Sequence, residues 1–286
     1  MLAVGLVRGL GALPRRAALR ACAALAMAAY RLDRHHRRIM TDNLRTAFPE
    51  WDDAARARVC RESFRNLGRL LAEVCHMPGW NADNISQIVR YDLENGLENY
   101  RRARRGGRGV LFLTGHFSAW ELLPFAQALY GYPLTFVTRP PDNAHLDRLV
   151  TRYRSLGGNT PIPKKQALRA LLQALRRGEA VGMLIDQGVQ AHEGVFVDFF
   201  GRPACTTTGA ALLALRTGAA VIPAHLVRDP GRDTYRMVFY EELEVTRTGD
   251  ADRDIHENTQ RFTGAIEGMV RRYPDQWLWG HRRWKT

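Results

Sequence analysis

The chain has 286 residues, enough for one large α/β domain or two small ones, and 45% of them are hydrophobic, enough for a sizeable core. Its 42 Lys and Arg against 29 Asp and Glu give a formal charge of +13, which draws anionic partners such as nucleic acid, anionic lipid or an acidic protein. No zinc-finger spacing, RNA-recognition signature or basic region with heptads accompanies that charge, so nucleic acid is not expected as a partner; the four cysteines form no CxxC pair, which excludes a small disulfide scaffold and fits reduced thiols.

Residues 1–38 form an apolar and basic segment. Its runs MLAVGLVRGLGAL and AALRACAALAMAAY carry Arg8, Arg15, Arg16 and Arg20. They leave no window of the ~18 uninterrupted apolar residues that a spanning helix needs. Arg31, Arg34, Arg37 and Arg38 follow at once, with His35 and His36. The pattern points to an N-terminal membrane-associating helix, either lying on the surface or making a short span with its basic flank on the cytosolic side. An amphipathic core helix is the competing reading.

Residues 39–286 read as a single α/β domain. Cys60, Phe64, Leu67 and Leu71 fall at helical spacing and predict a helix over 53–75, ended by Pro78 and Gly79. A short strand is expected within 85–93, a helix in GLENYRRAR, and a buried strand over 109–114. After Glu121 a helix should run to about Leu129, ended by Gly131 and followed by a strand at 134–138. Two more helices carry Leu146, Leu149, Val150 and Tyr153, then Leu168, Leu171, Leu172 and Leu175, the second stopped by Gly178. Residues 180–186 form a buried strand ending in a carboxylate, 195–209 an aromatic loop, 219–227 and 234–245 further strands, and Phe262, Ile266, Met269 and Tyr273 a last helix. Strands alternating with helices imply a mostly parallel central sheet flanked by helices. Such sheets bind ligands beyond the carboxyl ends of their strands. His116, Arg139 and Asp186 all sit just past strand ends.

The segment GHFSAWE at 115–121 follows the strand at 109–114 and sets His116 five positions before Glu121. A histidine there suits a general base, and a carboxylate near it can orient the ring for removal of a hydroxyl proton. Spacing alone is weak: nine His and 29 acids predict about one H-x4-[DE] match by chance, and this is the one found. Two other readings stand beside it. Ser118 to Glu121 matches an S-x-x-E capping box, in which the glutamate only closes a helix start. His116 fits a core histidine, although Gly115 before it argues for close backbone approach.

Arg139, in VTRPPDN, is placed to clamp a phosphate or a carbonyl oxygen gaining charge, or is a surface arginine at a turn. Asp186, opening DQGVQ, suits pairing with an arginine, binding of substrate hydroxyls, or capping of a turn. Arg202 is a candidate anion contact. Phe196, Phe199 and Phe200 fit either an apolar tunnel or ordinary core, and Cys205 a packing role. There is no G-x-S-x-G elbow, no GxxxxGK[ST] loop, no G-x-G-x-x-G after a strand, and no second His after His192-Glu193. Neither a metal nor a cofactor is required.

GHFSAWE resembles the HFGNWE block of the bacterial lipid A biosynthesis acyltransferases, the lauroyl and myristoyl transferases within the lysophospholipid acyltransferase group. The resemblance extends through TDNLRTAFPE at 41–50, VTRPPDN at 137–143, IDQGV at 185–189, VDFFGRPACTTTGAALLA at 197–214, VIP at 221–223 and PDQWLWGHRRWK at 274–285. The F-P-E-G-T-R type block of glycerol-phosphate acyltransferases is absent. The resemblance implies transfer of a fatty acyl chain from acyl carrier protein to a hydroxyl of a lipid A precursor, on the cytoplasmic face of the inner membrane of a Gram-negative bacterium. His116 would be the base and Glu121 its orienting partner, with Arg139 and Asp186 in the site and Pro223 a structural proline beside the substrate pocket. The donor chain would ride on the phosphopantetheine of the carrier. Ser118 and Ala119 depart from the usual Gly-Asn, and Pro124 falls early in the expected helix.

Overall fold

The computed structural model describes residues 2–94, 96–139, 141–164 and 167–284. Residue 140 of the Pro-Pro turn after Arg139, and residue 285 of the C-terminal block, lie outside that set. In chain order the helices are α1 (Leu2–Ala12), α2 (Arg15–Leu32), α3 (Arg34–Ala47), α4 (Asp53–His76), α5 (Leu97–Arg105), α6 (Leu122–Leu129), α7 (Ala144–Arg154), α8 (Ala167–Arg176), α9 (Gly209–Thr217) and α10 (Ala251–Arg272). The strands are β1 (Val89–Tyr91), β2 (Val110–Thr114), β3 (Leu134–Thr138), β4 (Thr160–Pro163), β5 (Ala180–Leu184), β6 (Gly194–Phe199), β7 (Arg202–Thr207), β8 (Ala220–Arg228) and β9 (Tyr235–Phe239).

Seven strands form one sheet in the order β1-β9-β8-β2-β5-β3-β4, with every pairing parallel except β8 with β9. Strand β2 lies at its centre and shows why its sequence is apolar without a break. Val110 and Phe112 enter one core cluster, with Phe125, Ile222 and Phe239, while Leu111 and Leu113 enter the other, with Val221, Phe262, Trp277 and Trp279. Helices cover both faces, so alternation of polar and apolar residues has no place here.

The stretch 195–209, expected as a loop, folds instead as the β6–β7 hairpin. Its connection is Phe200-Gly201, with φ of 57° and 72°, the left-handed pair of a type I′ turn. Phenylalanine is a poor cue for that geometry. It is held there by hydrogen bonds from the Phe200 N–H to Glu267 Oε2 (2.6 Å) and from the Gly201 N–H to Asp198 Oδ1 (2.9 Å). Strand β4 also went unanticipated, because Pro161 and Pro163 argue against a strand. It survives as the sheet's edge, where a missing donor is tolerated. Strand β9 stops at Phe239, short of residue 245, and Leu243 then makes an isolated bridge to Val221.

The N-terminal helices dock on α4. Ala18, Leu19 and Cys22 of α2 are buried, and a Cβ on Gly68 would come within 2.4 Å of the Cys22 carbonyl oxygen, so the two backbones nearly touch. The opposite side exposes Leu6, Leu13, Leu25 and Leu32. The core-helix reading therefore describes the side that faces α4, and the sequence boundary at residue 38 falls inside α3. No helix among the described residues is long and apolar enough to cross a membrane.

One buried ion pair ties α2 to the body. Arg15 Nε and Nη2 donate to Glu73 Oε2 and Oε1 at 3.0 and 2.5 Å, and the Tyr235 hydroxyl on β9 donates to the same carboxylate at 2.9 Å. The Glu73 side chain is 0% exposed. Arg15→Ala leaves that carboxylate without its cation and is expected to destabilise the fold by about 3 kcal/mol, as a lower urea midpoint; an unchanged midpoint would show that the pair does not anchor α2.

Candidate active site

Strands β2 and β5 pair in register, Thr114 opposite Leu184. Two residues beyond each strand end stand His116 and Asp186. The register therefore delivers an imidazole and a carboxylate to the same spot at the carboxyl edge of the sheet, where parallel sheets place their ligands. Asp186 Oδ2 accepts the His116 backbone N–H at 2.7 Å, and Asp186 Oδ1 lies 2.9 Å from His116 Nδ1. Trp277 Nε1 donates to Asp186 Oδ2 at 2.8 Å. Gly115 makes the approach possible, because a Cβ there would lie 2.9 Å from Asp186 Oδ2 and 3.0 Å from the Phe117 ring.

The turn after His116 is clamped by the C-terminal segment. The Leu278 N–H donates to the His116 carbonyl at 3.0 Å, and the Ser118 N–H to the Gln276 carbonyl at 2.6 Å, with Ser118 at a φ of 50°. Phe117 and Trp277 form a bridge. Backbone strain at Ser118 is thus held in place by the partners on either side.

The electrostatics follow from burial and pairing. Burial pushes the Asp186 carboxyl up, but the His116 charge, its two hydrogen bonds and the Trp277 N–H outweigh that and hold it below its ordinary value. Burial pulls the His116 imidazole down, but the charge and hydrogen bond of Asp186, with the charge of Glu121, raise it above its ordinary 6.5. An ionised carboxylate only accepts, so the ring proton sits on Nδ1 and the Nε2 lone pair is left available. The neighbour of Nε2 is the Gln187 side-chain nitrogen at 3.5 Å, and the Trp120 ring meets the imidazole edge to face at 5.0 Å.

Glu121 is not the group that orients the ring. Residues 116–121 form a tight loop, and α6 begins only at Leu122, so the five-residue spacing does not place the two side chains one above the other. Glu121 pairs with Arg154 at the end of α7, through Nε to Oε2 at 2.9 Å and Nη2 to Oε1 at 2.5 Å. The capping box is absent too: Glu121 occupies the N-cap of α6 and its side chain makes no cap hydrogen bond. The late helix start puts Pro124 in the first turn, where its missing N–H costs nothing.

Trp120, Glu121 and Arg154 line a cleft together with Phe112, Leu123, Leu134, Phe136, Leu184 and Phe239. This is the greasy cavity beside the histidine, and none of Phe196, Phe199 and Phe200 lines it. Phe199 and Phe200 belong to the core on the other face of the sheet, and Phe196 is exposed on the hairpin. Arg139 is exposed at the end of β3, next to Thr138 of the cleft lining. Arg202 is exposed at the hairpin turn, with no described contact to His116 or Asp186. Cys205 is buried, its thiol pushed up by burial and directed at the Gln190 carbonyl, which suits packing. Sequence reasoning missed Arg154 and Trp277 as neighbours of the site. It also missed Arg283, a buried guanidinium pushed down to about 10 by burial, which donates to the Cys205 carbonyl at 2.9 Å and Thr206 Oγ1 at 2.6 Å and lies over the Phe199 ring. The aromatic and basic C-terminal block was the available signal for the last two.

A family model described as bacterial lipid A biosynthesis acyltransferase matches residues 1–286. The chain is 31% identical over 249 residues to the lipid A biosynthesis palmitoleoyltransferase of Escherichia coli (strain K12), covering 87% of this chain and 78% of that protein. It is 28% identical over 261 residues to the lipid A biosynthesis lauroyltransferase of the same organism, covering 90% and 82%. A phosphatidylinositol mannoside acyltransferase of Mycobacterium tuberculosis (strain CDC 1551 / Oshkosh) is 24% identical over 226 residues, covering 78% and 69%.

The pairing fixes a spectroscopic outcome. Nitrogen NMR of the full chain is expected to show His116 as the Nδ1–H tautomer, titrating above 6.5, and Asp186→Asn is expected to lower that titration. An Nε2–H tautomer, or a titration indifferent to Asp186→Asn, would contradict the geometry.

Proposed function

We propose that this chain, which belongs to the bacterial lipid A biosynthesis acyltransferase family, moves a fatty acyl chain from the phosphopantetheine thioester of acyl carrier protein to a hydroxyl of a lipid A precursor at the cytoplasmic face of the inner membrane. The observation that carries the reading is the His116–Asp186 pair, with its Nε2 engaged only by a long contact from the Gln187 side chain, beside an apolar cleft.

In this mechanism the acceptor hydroxyl hydrogen-bonds His116 Nε2, displacing the weak contact with Gln187. The ring takes the hydroxyl proton as the oxygen attacks the thioester carbonyl. Asp186 stabilises the imidazolium and keeps the ring from turning. Carbon–sulfur bond cleavage then collapses the tetrahedral adduct. The proton passes from Nε2 to the departing thiolate, which leaves as the carrier's thiol, and the ester remains on the acceptor. Glu121 adds negative charge favouring the imidazolium, and its partner Arg154 presents a cation in the cleft for the carbonyl oxygen. Arg139, at the exposed end of β3 next to the cleft lining, is a further cation for a phosphate of the acceptor, whereas Arg202, at the hairpin tip, contributes only to the general positive surface. The apolar walls take the fatty chain. The positive surface steers both the acidic carrier protein and the phosphorylated acceptor.

The second reading keeps the same base and changes the acceptor to a glycerophospholipid or glycolipid. The relative named for phosphatidylinositol mannoside favours it. A non-catalytic lipid-binding protein has less support, since it needs no imidazole held by a buried carboxylate with its other nitrogen turned to a weak, displaceable neighbour.

The test is acyl transfer from the carrier thioester to a lipid A precursor and, in parallel, to a lysophospholipid. Transfer to the lipid A precursor is expected, His116→Ala is expected to lower it by about 10²–10⁴-fold or more, and Glu121→Gln to slow it with the fold intact. Near-normal transfer by His116→Ala would remove the base, and transfer to the lysophospholipid alone would move the assignment to the second reading.

A further inference from the structure

Away from the cleft, α1 packs against α7 and leaves a groove between them. Val4 and Gly5 of α1 and Leu149 of α7 give it an apolar floor, and a Cβ added at Gly5 would meet nothing within 4 Å. Arg8 stands on one side, Arg148 and Arg152 on the other. All three are exposed, and among the described residues none is paired with a carboxylate. His145, the remaining lining residue, accepts from Arg148 Nη2 at 2.7 Å and so helps to hold that guanidinium at the rim. Asp147, the acid of α7, faces elsewhere and accepts the Thr151 hydroxyl.

We propose that this groove seats the phosphodiester headgroup of an anionic phospholipid in the bilayer, and so docks the protein on the membrane through α1 and α7. Guanidinium forks suit phosphate oxygens, and three converge without a counter-ion. The flanks choose between lipid and protein. Leu6 on α1 and Leu13, in the bend just after it, are 56% and 42% exposed, and no acid occurs in the chain before Asp33. Apolar side chains among arginines on an acid-free helix match the boundary between headgroups and acyl chains, whereas an acidic protein surface would leave the leucines in water. The placement also bears on the cleft. Arg148 and Arg152 lie one helical turn apart on the outer side of α7, and Arg154, two residues on, turns inward to Glu121. A headgroup in the groove therefore brings the cleft to the membrane. This inference rests on the reading of the chain as an acyltransferase working at a lipid surface. Vesicle binding is measured without turnover, so failure of the groove is distinguishable from failure of that reading.

The experiment is co-sedimentation of the full chain with phosphatidylcholine vesicles, with and without phosphatidylglycerol. Binding is expected only with phosphatidylglycerol. Arg148→Gln with Arg152→Gln is expected to weaken it about tenfold to thirtyfold, and Arg8→Gln, from the other wall, by about fivefold. The control is Arg169→Gln with Arg176→Gln on α8, which removes the same charge from exposed positions elsewhere and is expected to keep most of the affinity. Equal losses in groove and control variants would reduce the groove to general charge and overturn the proposal. So would groove variants that keep vesicle binding but lose capture of acyl carrier protein, which would assign the groove to an acidic protein.

Discussion

The site depends on one buried carboxylate. Asp186 has a side chain 1% exposed, and taking a carboxylate that far from water costs several kcal/mol. The offset comes from three donors: the backbone N–H and ring of His116, and the Trp277 indole. Each donor comes from a different constraint. The backbone N–H is in place because β2 and β5 pair in register. The ring is in place because Gly115 lets the chain pass close to the acid. The indole is in place because the segment around 276–278 is pinned to the 116–118 turn. A single acid thus reports on sheet, turn and C-terminus together, and the imidazole it holds has one nitrogen committed to that acid and the other met only by Gln187 at 3.5 Å.

The two carboxylates near the histidine divide the work. Asp186 acts by contact and burial, and sets tautomer and orientation. Glu121 acts at longer range and is itself neutralised by Arg154. That ion pair places a polar, fixed gate on an otherwise apolar cleft. A thioester carbonyl and a hydroxyl meeting there would find charge at one end and hydrocarbon at the other. Helix α7 links this gate to the basic groove at its outer face, so the orientation of the protein on a surface and the access to its cleft share one element.

Much of this was legible in the sequence, and the limits have physical causes. The unbroken apolar run at 109–114 announced a strand buried on both faces, and the glycine, histidine and acid past two strand ends announced a shared edge. What no local pattern supplies is register. Whether residue 116 faces 186 or slides past it is decided by tertiary pairing. Spacing along the chain made Glu121 the natural partner because five residues of helix would bring it near. The chain instead makes a strained loop at Ser118, and the acid reaches across to α7. Arg154 went unremarked because a basic residue in the last turn of a helix is what the dipole favours anywhere. The hairpin at 194–207 was hidden by a turn built on Phe200, which Glu267 on a distant helix stabilises.

The central claim is that Asp186 makes His116 the base. The most direct measurement is the pH dependence of kcat/KM for acyl transfer, in the unaltered chain and in Asp186→Asn. Only the neutral ring accepts a proton, and the carboxylate raises its pKa above 6.5. Activity in the unaltered chain should therefore fall as pH drops through a value above 6.5. With the charge removed, burial dominates, so the acid limb should move to lower pH beneath a much lower plateau. An acid limb that Asp186→Asn leaves where it was, with the plateau intact, would contradict the account.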